Sequence, residues 1–423
     1  MGKFQQLISK IQSKPMEKSV IDRKKEEFKE VYWVLKNANS DQFYEFIFDM
    51  EDFPDIRIKN IDNLKETGLL FENDRLSGVP AAANVHHLDI QFFHTADPHT
   101  VEIKKVQLLI NANPKDLWKN IPSDIHDEFY KPDEDSYKGK FSDKRIVVVS
   151  KRGRSHAHEG NFREDDFAVR NLPADWNIIS VADGAGSAKL ARKGSEIATE
   201  SINRFFDSTT ILHKIEENIR LHYSTDYSPQ VQYEAHQNIV RILYEGVLNT
   251  HNTLETWSSE HDFSLSDLNT TLIFALVKKF SFGYVIMSFG VGDCPVNLID
   301  SDFSDVKLLN PMDVGEFSGG TRFITMKEIF NDQIVSRFEM TRVDDFAYLV
   351  LMTDGIYDPK FATENKLEDP ESWKAFFNDL NGNNDDRRKV DFTNDKEIDQ
   401  QLLHWGDFWS RGNHDDRTLG IIY

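Results

Sequence analysis

The hydrophobic pattern is clearest in the second part of the chain, after about residue 140. There, apolar runs rich in β-branched residues predict strands, and apolar residues spaced by three, four or seven predict helices. Long amphipathic helices are predicted at 187–206 and 230–257. Strands are predicted at 145–150, 176–182, 271–277, 284–289, 296–299, 346–352 and 418–422.

The order of these elements predicts an α+β fold with largely antiparallel sheets. Two helices interrupt a longer run of strands, which favours stacked layers of helix and sheet. The connections at 278–284 and 290–296 are too short to contain the crossover helix that joins parallel strands. We therefore do not expect a doubly wound parallel sheet in this region.

The first part of the chain is less regular and predicts a smaller mixed domain. Apolar residues between 19 and 47 have helical spacing, and residues 88–93 and 101–110 have the pattern of strands. A turn that enters a short helix is predicted at 113–118. No residue spacing in this part is typical of a chemical site, so its role stays open.

A polar, turn-rich stretch separates the two parts. Residues 131–140 combine Pro, Gly, Asp and Lys, which is typical of a linker or a long loop. We therefore place an N-terminal mixed domain at 1–140 and a second, larger domain at 141–423.

The composition indicates a folded protein with an acidic surface. Of 423 residues, 71 are acidic and 50 are basic, which gives a formal net charge of −21. The 39% hydrophobic and 12% aromatic content is more than a disordered chain would contain. A nucleic-acid partner and an anionic membrane are both disfavoured, because each requires a basic surface.

The sequence predicts a cytoplasmic protein. Cys294 is the only cysteine, so no intrachain disulfide can form. The N-terminus lacks the apolar core of a secretion signal. No apolar stretch approaches the roughly 18 residues of a membrane span.

Acidic residues stand at the ends of several predicted strands. Asp183 and Asp354 each follow an apolar strand and precede a glycine, Asp415 precedes the last strand, and a further cluster lies at 164–166. Carboxylates that converge repel one another unless they protonate or bind a cation. Their hard oxygens favour Mg²⁺ or Mn²⁺, and a group of acids can hold two ions that activate water against a phosphoryl group.

Residues 145–423 resemble the metal-dependent protein phosphatase 2C family, in a bacterial-type variant. Six short motifs occur in the order that the family has them, and their order is more specific than any one motif. They are Glu164-Asp165, the strand that ends in Asp183-Gly184, Asp267-Leu268-Asn269-Thr270-Thr271, Gly292-Asp293-Cys294, Thr353-Asp354-Gly355 and Asp415-Asp416-Arg417-Thr418.

The resemblance implies a fold and a reaction. The fold would be a four-layer α-β-β-α sandwich of two antiparallel sheets flanked by helices. The protein would be a Mg²⁺- or Mn²⁺-dependent serine/threonine phosphatase, in which a metal-bridging hydroxide attacks the phosphorus of a phosphoserine or phosphothreonine. Its partner would be a phosphoprotein substrate. A partner kinase would suit such an enzyme, although no residue indicates one.

The resemblance also implies roles for individual residues. Asp183 would bridge two metal ions, and the carbonyl of Gly184 would bind one of them. Asp354 and Asp415 would complete the shell of the other ion. Glu164 would act through a metal-bound water.

Two further acids have supporting roles by the same resemblance. Asp165 would support Glu164 in catalysis. Asp267 would hold a third metal ion, which gives two or three ions in all, although Asn269 replaces a glycine of that motif.

The sequence departs from the family where the substrate phosphate is bound. Many members have an arginine four residues before the glutamate, and Gly160 stands there in this chain. We leave the alternatives open, with possible assistance from a histidine. The candidates are Lys151, Arg152, Arg154 and Arg163, together with His156 and His158.

Two other functions agree with the same residues. One is a phosphatase-like binding or regulatory module with weak or no turnover, which the missing arginine favours. The other is a two-metal phosphohydrolase that acts on nucleotides or small phosphates.

Other kinds of site are less well supported. Residues 184–189 lack the third glycine of a dinucleotide-binding loop, and no P-loop is present. His156 and His158 would share one face of a strand but lack further zinc ligands. We interpret Cys294 as a small buried residue and Asp293 as structural.

Overall fold

The computed structural model divides the chain into two compact units, Met1–Trp118 and Lys119–Tyr423. The predicted turn and short helix at 113–118 lie largely outside the described residues. No helix among the described residues is long and apolar enough to cross a membrane. The residues that the structure describes are 18, 20–31, 33–113, 118–313, 320–410 and 412–423.

Among its described residues, the first unit contains two small sheets and one helix. Its helix, α1, spans residues 20–30. The sheets have the strand orders β1-β7-β6-β3 and β2-β5-β4. The strands are β1 (Ala38–Asn39), β2 (Tyr44–Ile47), β3 (Ile56–Asp62), β4 (Leu69–Glu72), β5 (Arg75–Gly78), β6 (Asn84–His94) and β7 (Asp97–Asn111).

The helix predicted between 19 and 47 is wrong beyond residue 30. The reason lies in Lys104 of β7, whose Nζ donates hydrogen bonds to the carbonyls of Phe28 (2.7 Å) and Lys29 (2.9 Å). The last carbonyls of a helix have no partner within the helix, so this buried ammonium group caps α1 and lets the chain turn away. The strands predicted at 88–93 and 101–110 are confirmed as the hairpin β6–β7.

The second unit contains two antiparallel sheets with the strand orders β10-β11-β12-β13-β16 and β15-β14-β17-β18-β9-β8. The strands are β8 (Glu134–Phe141), β9 (Lys144–Lys151), β10 (Asp166–Asn171), β11 (Asn177–Ala182), β12 (Leu272–Phe280), β13 (Gly283–Val291), β14 (Val296–Ile299), β15 (Val306–Leu308), β16 (Phe338–Val343), β17 (Tyr348–Met352) and β18 (Arg417–Ile422). The helices are α2 (Arg154–Glu159), α3 (Ala191–Phe206), α4 (Thr209–Tyr223), α5 (Pro229–Glu260), α6 (Asp354–Phe361), α7 (Pro370–Leu380) and α8 (Ile398–Trp405).

Three hydrophobic clusters hold the second unit together. Ile179 and Leu351 belong to a cluster that both sheets share, so the sheets face each other across it. Leu243 of α5 packs with Phe274 on the outer side of the first sheet. Trp373 of α7 belongs to the cluster on the outer side of the second sheet. The α+β class predicted from the sequence is therefore observed.

One local prediction is wrong in this unit, and one conditional interpretation does not apply. Residues 131–140 are not a linker, because most of them form β8, which pairs with β9. β8 is an edge strand with much of its surface in solvent, and this explains its polar sequence. His156 and His158 lie on the short helix α2, not on a strand.

A close contact between the two sheets at Gly420 suggests a test of their packing. A Cβ atom on Gly420 would lie 2.6 Å from Cδ1 of Ile179 in the opposite sheet. Gly420→Ala should therefore lower the free energy of unfolding by about 1–3 kcal/mol, through overpacking.

The control removes the atom that clashes. Ile179→Val deletes Cδ1 and should cost about 0.5–1.5 kcal/mol alone. In the double variant, the loss in free energy of unfolding should be smaller than the sum of the losses in the two single variants. Urea unfolding measures all three values. Strict additivity would show that the two side chains do not compete for this space.

Candidate functional site

The acids predicted from strand ends lie in one group. Burial raises the pKa of Asp183 well above its usual range, and the charges of Asp354, Asp165 and Asp415 raise it further. Burial likewise raises the pKa of Asp354, followed by the charges of Asp415 and Asp293. Because charges affect a pKa only over short distances, these carboxylates share one region of the fold, although they come from distant parts of the chain.

The backbone at Asp183 is fixed by two threonines that precede β12. Thr271 N and Thr270 Oγ1 each donate to the carbonyl of Asp183 at 2.8 Å, and Asp183 N donates to Thr271 Oγ1 at 2.8 Å. Gly184 follows in a crowded place, where a Cβ atom would lie 2.8 Å from the carbonyl oxygen of Glu164. Asp183 therefore stands on a rigid strand end.

Asp165 is held by two other threonines at the end of β17 and in β18. Thr353 Oγ1 and Thr418 Oγ1 both donate to Asp165 Oδ2 at 2.8 Å. Burial, followed by the charge of Asp416, raises the pKa of Asp165 to about 7. Asp165 thus joins three strands at the centre of the acid group.

Asp354 begins helix α6, which packs tightly on the segment before β18. A Cβ atom on Gly355 would lie only 1.8 Å from the carbonyl oxygen of Asp416, so glycine is required there. This close contact brings the start of α6 next to Asp415. Burial and the neighbouring charge of Asp416 raise the pKa of Asp415.

Asp416 is a buried junction, not a free ligand. Its carboxylate accepts hydrogen bonds from the backbone amides of Gly153, Glu164 and Asp165. It also accepts one from His156 Nδ1 at 3.0 Å. Burial opposes ionisation, but His156 and the backbone donors outweigh it and lower the pKa of Asp416.

Glu164 faces the group with one oxygen unsatisfied. Its Oε2 atom is buried and has no hydrogen-bond partner among the described residues. Burial raises the pKa of Glu164 to about 8, although the charge of His156 opposes this. His156 Nε2 lies 3.7 Å from that oxygen. Burial would lower the pKa of His156, but Asp416, Glu164 and Asp415 raise it to about 10.

Asp293 also belongs to the acid group, although the sequence was interpreted as giving it a structural role. Ligand atoms of Asp293, Asp183 and Cys294 lie within 4.8 Å of one another. Asp293 Oδ2 accepts a hydrogen bond from Thr321 at 2.9 Å, while its buried Oδ1 has no partner. The sequence feature that could have identified Asp293 as a member of the acid group is its position after Gly292 at the end of a strand.

Asp267 does not join this group by any contact in the described residues. Its Oδ2 accepts a hydrogen bond from Ser264 N at 3.0 Å and completes a capping box at the start of the turn 265–268. It appears in neither of the two residue groups whose geometry suits a metal ion.

The donor set agrees with hard divalent cations. One suitable group is His156, Asp415 and Asp416, and the other is Asp183, Asp293 and Cys294, while Asp354 and Glu164 belong to neither. Most of these ligand atoms are carboxylate oxygens. Buried, mutually repelling carboxylates with unsatisfied oxygens are stabilised when cations bind between them. Oxygen ligands suit Mg²⁺ and Mn²⁺.

The four cationic residues that the sequence analysis proposed for phosphate binding form hydrogen bonds or ion pairs with other residues. Arg163 is buried and donates to Pro132 O, Ser150 Oγ and Asp165 O. Arg152 pairs with Asp133 at 2.9 Å. Arg154 pairs with Asp407 at 3.0 Å, and Lys151 pairs with Glu134 at 3.5 Å.

A different arginine lies beside Glu164. Arg192 and Glu164 line one cavity of about 510 Å³, and the charge of Arg192 opposes the raised pKa of Glu164. Arg192 Nε donates to Phe129 O at 2.8 Å, and Nη2 donates to Asp127 at 3.0 Å. The guanidinium lies 4.0 Å from the ring centre of Phe162. Its Nη1 has no partner among the described residues.

A family model described as "Protein phosphatase 2C" matches residues 152–403. No curated protein matches the chain.

Solved structures give weak likenesses. The serine/threonine phosphatase Stp1 from Staphylococcus aureus is 15% identical, with a TM-score of 0.39, over 67% of this chain and 95% of that one. RsbX, solved with magnesium, is 13% identical, with a TM-score of 0.36, over 68% and 98%. PppA from Pseudomonas aeruginosa is 13% identical, with a TM-score of 0.40, over 68% and 99%. Likenesses this weak support no functional conclusion.

The mutual repulsion of the acids predicts how the metal-free protein responds to charge removal. Because the raised pKa of Asp354 marks an ionised form that burial and its neighbours disfavour, Asp354→Asn should raise the melting temperature in EDTA. The same variant should reduce the rise in melting temperature that Mn²⁺ causes in the wild type. Thermal unfolding with and without Mn²⁺ measures both effects.

Asp344→Asn is the matched control, because Asp344 is 96% exposed and lies on the surface. It should leave the Mn²⁺ effect unchanged. An Asp354→Asn variant that responds to Mn²⁺ like the wild type would contradict a role for Asp354 in metal binding.

Proposed function

Because the chain belongs to the protein phosphatase 2C family, whose model matches more than half of it, we propose that it hydrolyses phosphoserine and phosphothreonine in protein substrates. The observation that supports this best is the acid group itself. Asp183, Asp354 and Asp415 come from three strand ends; after burial, the charges of Asp354 and Asp415 raise the pKa of Asp183, and the charge of Asp415 raises that of Asp354. Oxygen-rich groups of this kind serve metal-dependent phosphoryl transfer.

We assign the metal ligands to the same residues as the sequence does. Asp183, Asp354 and Asp415, with the carbonyl of Gly184 and with Glu164, would hold two Mg²⁺ or Mn²⁺ ions. Such ions supply charge neutralisation and an activated water. A third ion at Asp267 stays part of the proposal.

The protein's own residues prepare this site before any substrate binds. Thr270 and Thr271 fix the backbone of Asp183, so its carboxylate needs little reorganisation. Thr353 and Thr418 orient Asp165. Glu164, with its unsatisfied Oε2, can hold a proton at that atom beside the reaction.

The remaining parts of the proposal concern context. We expect the two facing sheets, with helices outside each, to form the four-layer α-β-β-α sandwich. We expect the protein to act in the cytoplasm on phosphoproteins, with a kinase as a partner. The first unit has no proposed role.

The activity is tested with a phosphothreonine peptide and Mn²⁺. The wild type should release phosphate, and Asp183→Asn and Asp354→Asn should each reduce release to the level without enzyme, because each removes a metal ligand. Asp344→Asn serves again as the control and should keep full activity.

The outcomes separate the alternatives. Mn²⁺ stabilisation without turnover of any phosphate ester would favour the binding or regulatory module. Faster turnover of nucleotides than of phosphopeptides would favour a small-molecule phosphohydrolase. Persistent peptide turnover in both aspartate variants would contradict the proposed site.

We also assign the binding of the substrate phosphate to Arg192. A phosphate ester brings further negative charge to an already acidic site, so it needs a cation beside Glu164. Arg192 lines the same cavity as Glu164, although it also pairs with Asp127. Asp127 and Phe129 occupy one edge of the guanidinium and orient it, while the edge with Nη1 stays available. Arginine binds phosphate through two parallel hydrogen bonds.

Arg192→Gln should therefore raise KM for the phosphopeptide, and Ki for inorganic phosphate, by about 10- to 100-fold. Steady-state kinetics with phosphate as a competitive inhibitor measures both values. Arg204→Gln removes a cation of the same helix whose side chain is 75% exposed, and it should change neither value. An unchanged Ki for phosphate in Arg192→Gln would contradict the assignment.

A further inference from the structure

The ring of His156 lies between two carboxylates of the acid group. Helix α2 brings it there, because Gly153 at the start of α2 packs against the backbone of Asp415. A Cβ atom on Gly153 would lie 2.3 Å from the Asp415 carbonyl carbon. The ring then contacts Asp416 through Nδ1 (3.0 Å) and Glu164 through Nε2 (3.7 Å).

The Asp416 end of this arrangement is rigid. Asp416 is 2% exposed, and the amides of Gly153 and Glu164 donate to its two different oxygens. A carboxylate held on both sides in this way fixes the direction of the hydrogen bond that it accepts from His156. The plane and position of the ring are set accordingly.

The Oε2 atom of Glu164, at the other side of the ring, accepts no hydrogen bond among the described residues. This atom is buried, and His156 supplies the only basic nitrogen within 4.0 Å of it in the described part of the chain. The Glu164 backbone is fixed by Asp416 and by Ser195, whose Oγ donates to the Glu164 carbonyl. The side chain therefore depends on His156 for its direction.

We infer that His156 is a positioning residue, which directs the carboxylate of Glu164 into the acid group while Asp416 fixes its ring. The inference rests on the proposed function, because it gives Glu164 a task at the metal site. The carboxylate of Asp416 and the imidazole form a matched pair, and an asparagine would hold the ring less firmly.

The test uses amides that do not ionise. In His156→Gln the side-chain amide can reach the place of Nε2 and donate to Glu164. In His156→Asn it can reach only the place of Nδ1 and donate to Asp416. We expect His156→Asn and His156→Ala to lower kcat and Mn²⁺ affinity by about 10- to 100-fold. His156→Gln should recover part of both losses, and KM should change little.

A double-mutant cycle with Glu164→Gln decides whether His156 acts through Glu164. In the Glu164→Gln background, His156→Ala should lower kcat and Mn²⁺ affinity by less than about threefold, because the group that it positions is already altered. Mn²⁺ affinity is measured by electron paramagnetic resonance of the free ion, without substrate. Additive losses in kcat and in affinity would overturn the inference.

His158→Gln is the matched control on the same helix. His158 Nδ1 accepts a hydrogen bond from Lys119 N at 3.1 Å, outside the acid group, and its replacement should leave kcat and Mn²⁺ affinity unchanged. If the wild type lacks phosphatase activity, the proposed function fails, while the Mn²⁺ measurements still test His156. If His156→Ala does not fold, the comparison between Gln and Asn decides, and equal affinities in these two variants would overturn the inference.

Discussion

Repulsion among buried carboxylates is the constraint on which the second unit depends. The ends of β11 and β17 and the start of β18 converge, and each contributes an aspartate that its neighbours push toward the neutral form. Threonine hydroxyls fix the backbone of Asp183 and the carboxylate of Asp165, and backbone amides hold Asp416. Strain of this kind, which lowers stability locally, is typical of functional sites.

Hydrogen bonds between distant segments keep this strained group in place. Asp416 joins residues about 250 positions apart in the chain, through the amides of Gly153, Glu164 and Asp165. Thr353 and Thr418 do the same for Asp165. The acids proposed as metal ligands and the acids held by these hydrogen bonds are therefore largely different residues, although both kinds stand in the same short motifs.

The sequence predicts the strands of the core and the main acids, because both depend on local pattern. The strand predicted at 145–150 has a continuously apolar centre at 146–149, and Asp183 and Asp354 follow apolar strands. The sequence does not predict the features that depend on contacts between distant residues. Lys104 ends α1 from another strand, Asp293 joins the acids only through tertiary packing, and Arg192 is oriented by Asp127 and Phe129 some 60 residues earlier. The polar sequence of β8 resembles that of a linker, because an edge strand is held in its sheet by backbone hydrogen bonds and its side chains need not be apolar.

The position of β8 has a practical consequence for dividing the chain. A fragment cut at the apparent linker would lack the outermost strand, and β9 would present unpaired amides and carbonyls along an apolar ribbon. It would also lose Lys131, whose ammonium is buried against Asp166 at 2.8 Å. Such a fragment invites intermolecular strand pairing and precipitation, whereas one that starts at Lys119 keeps the sheet closed at that side.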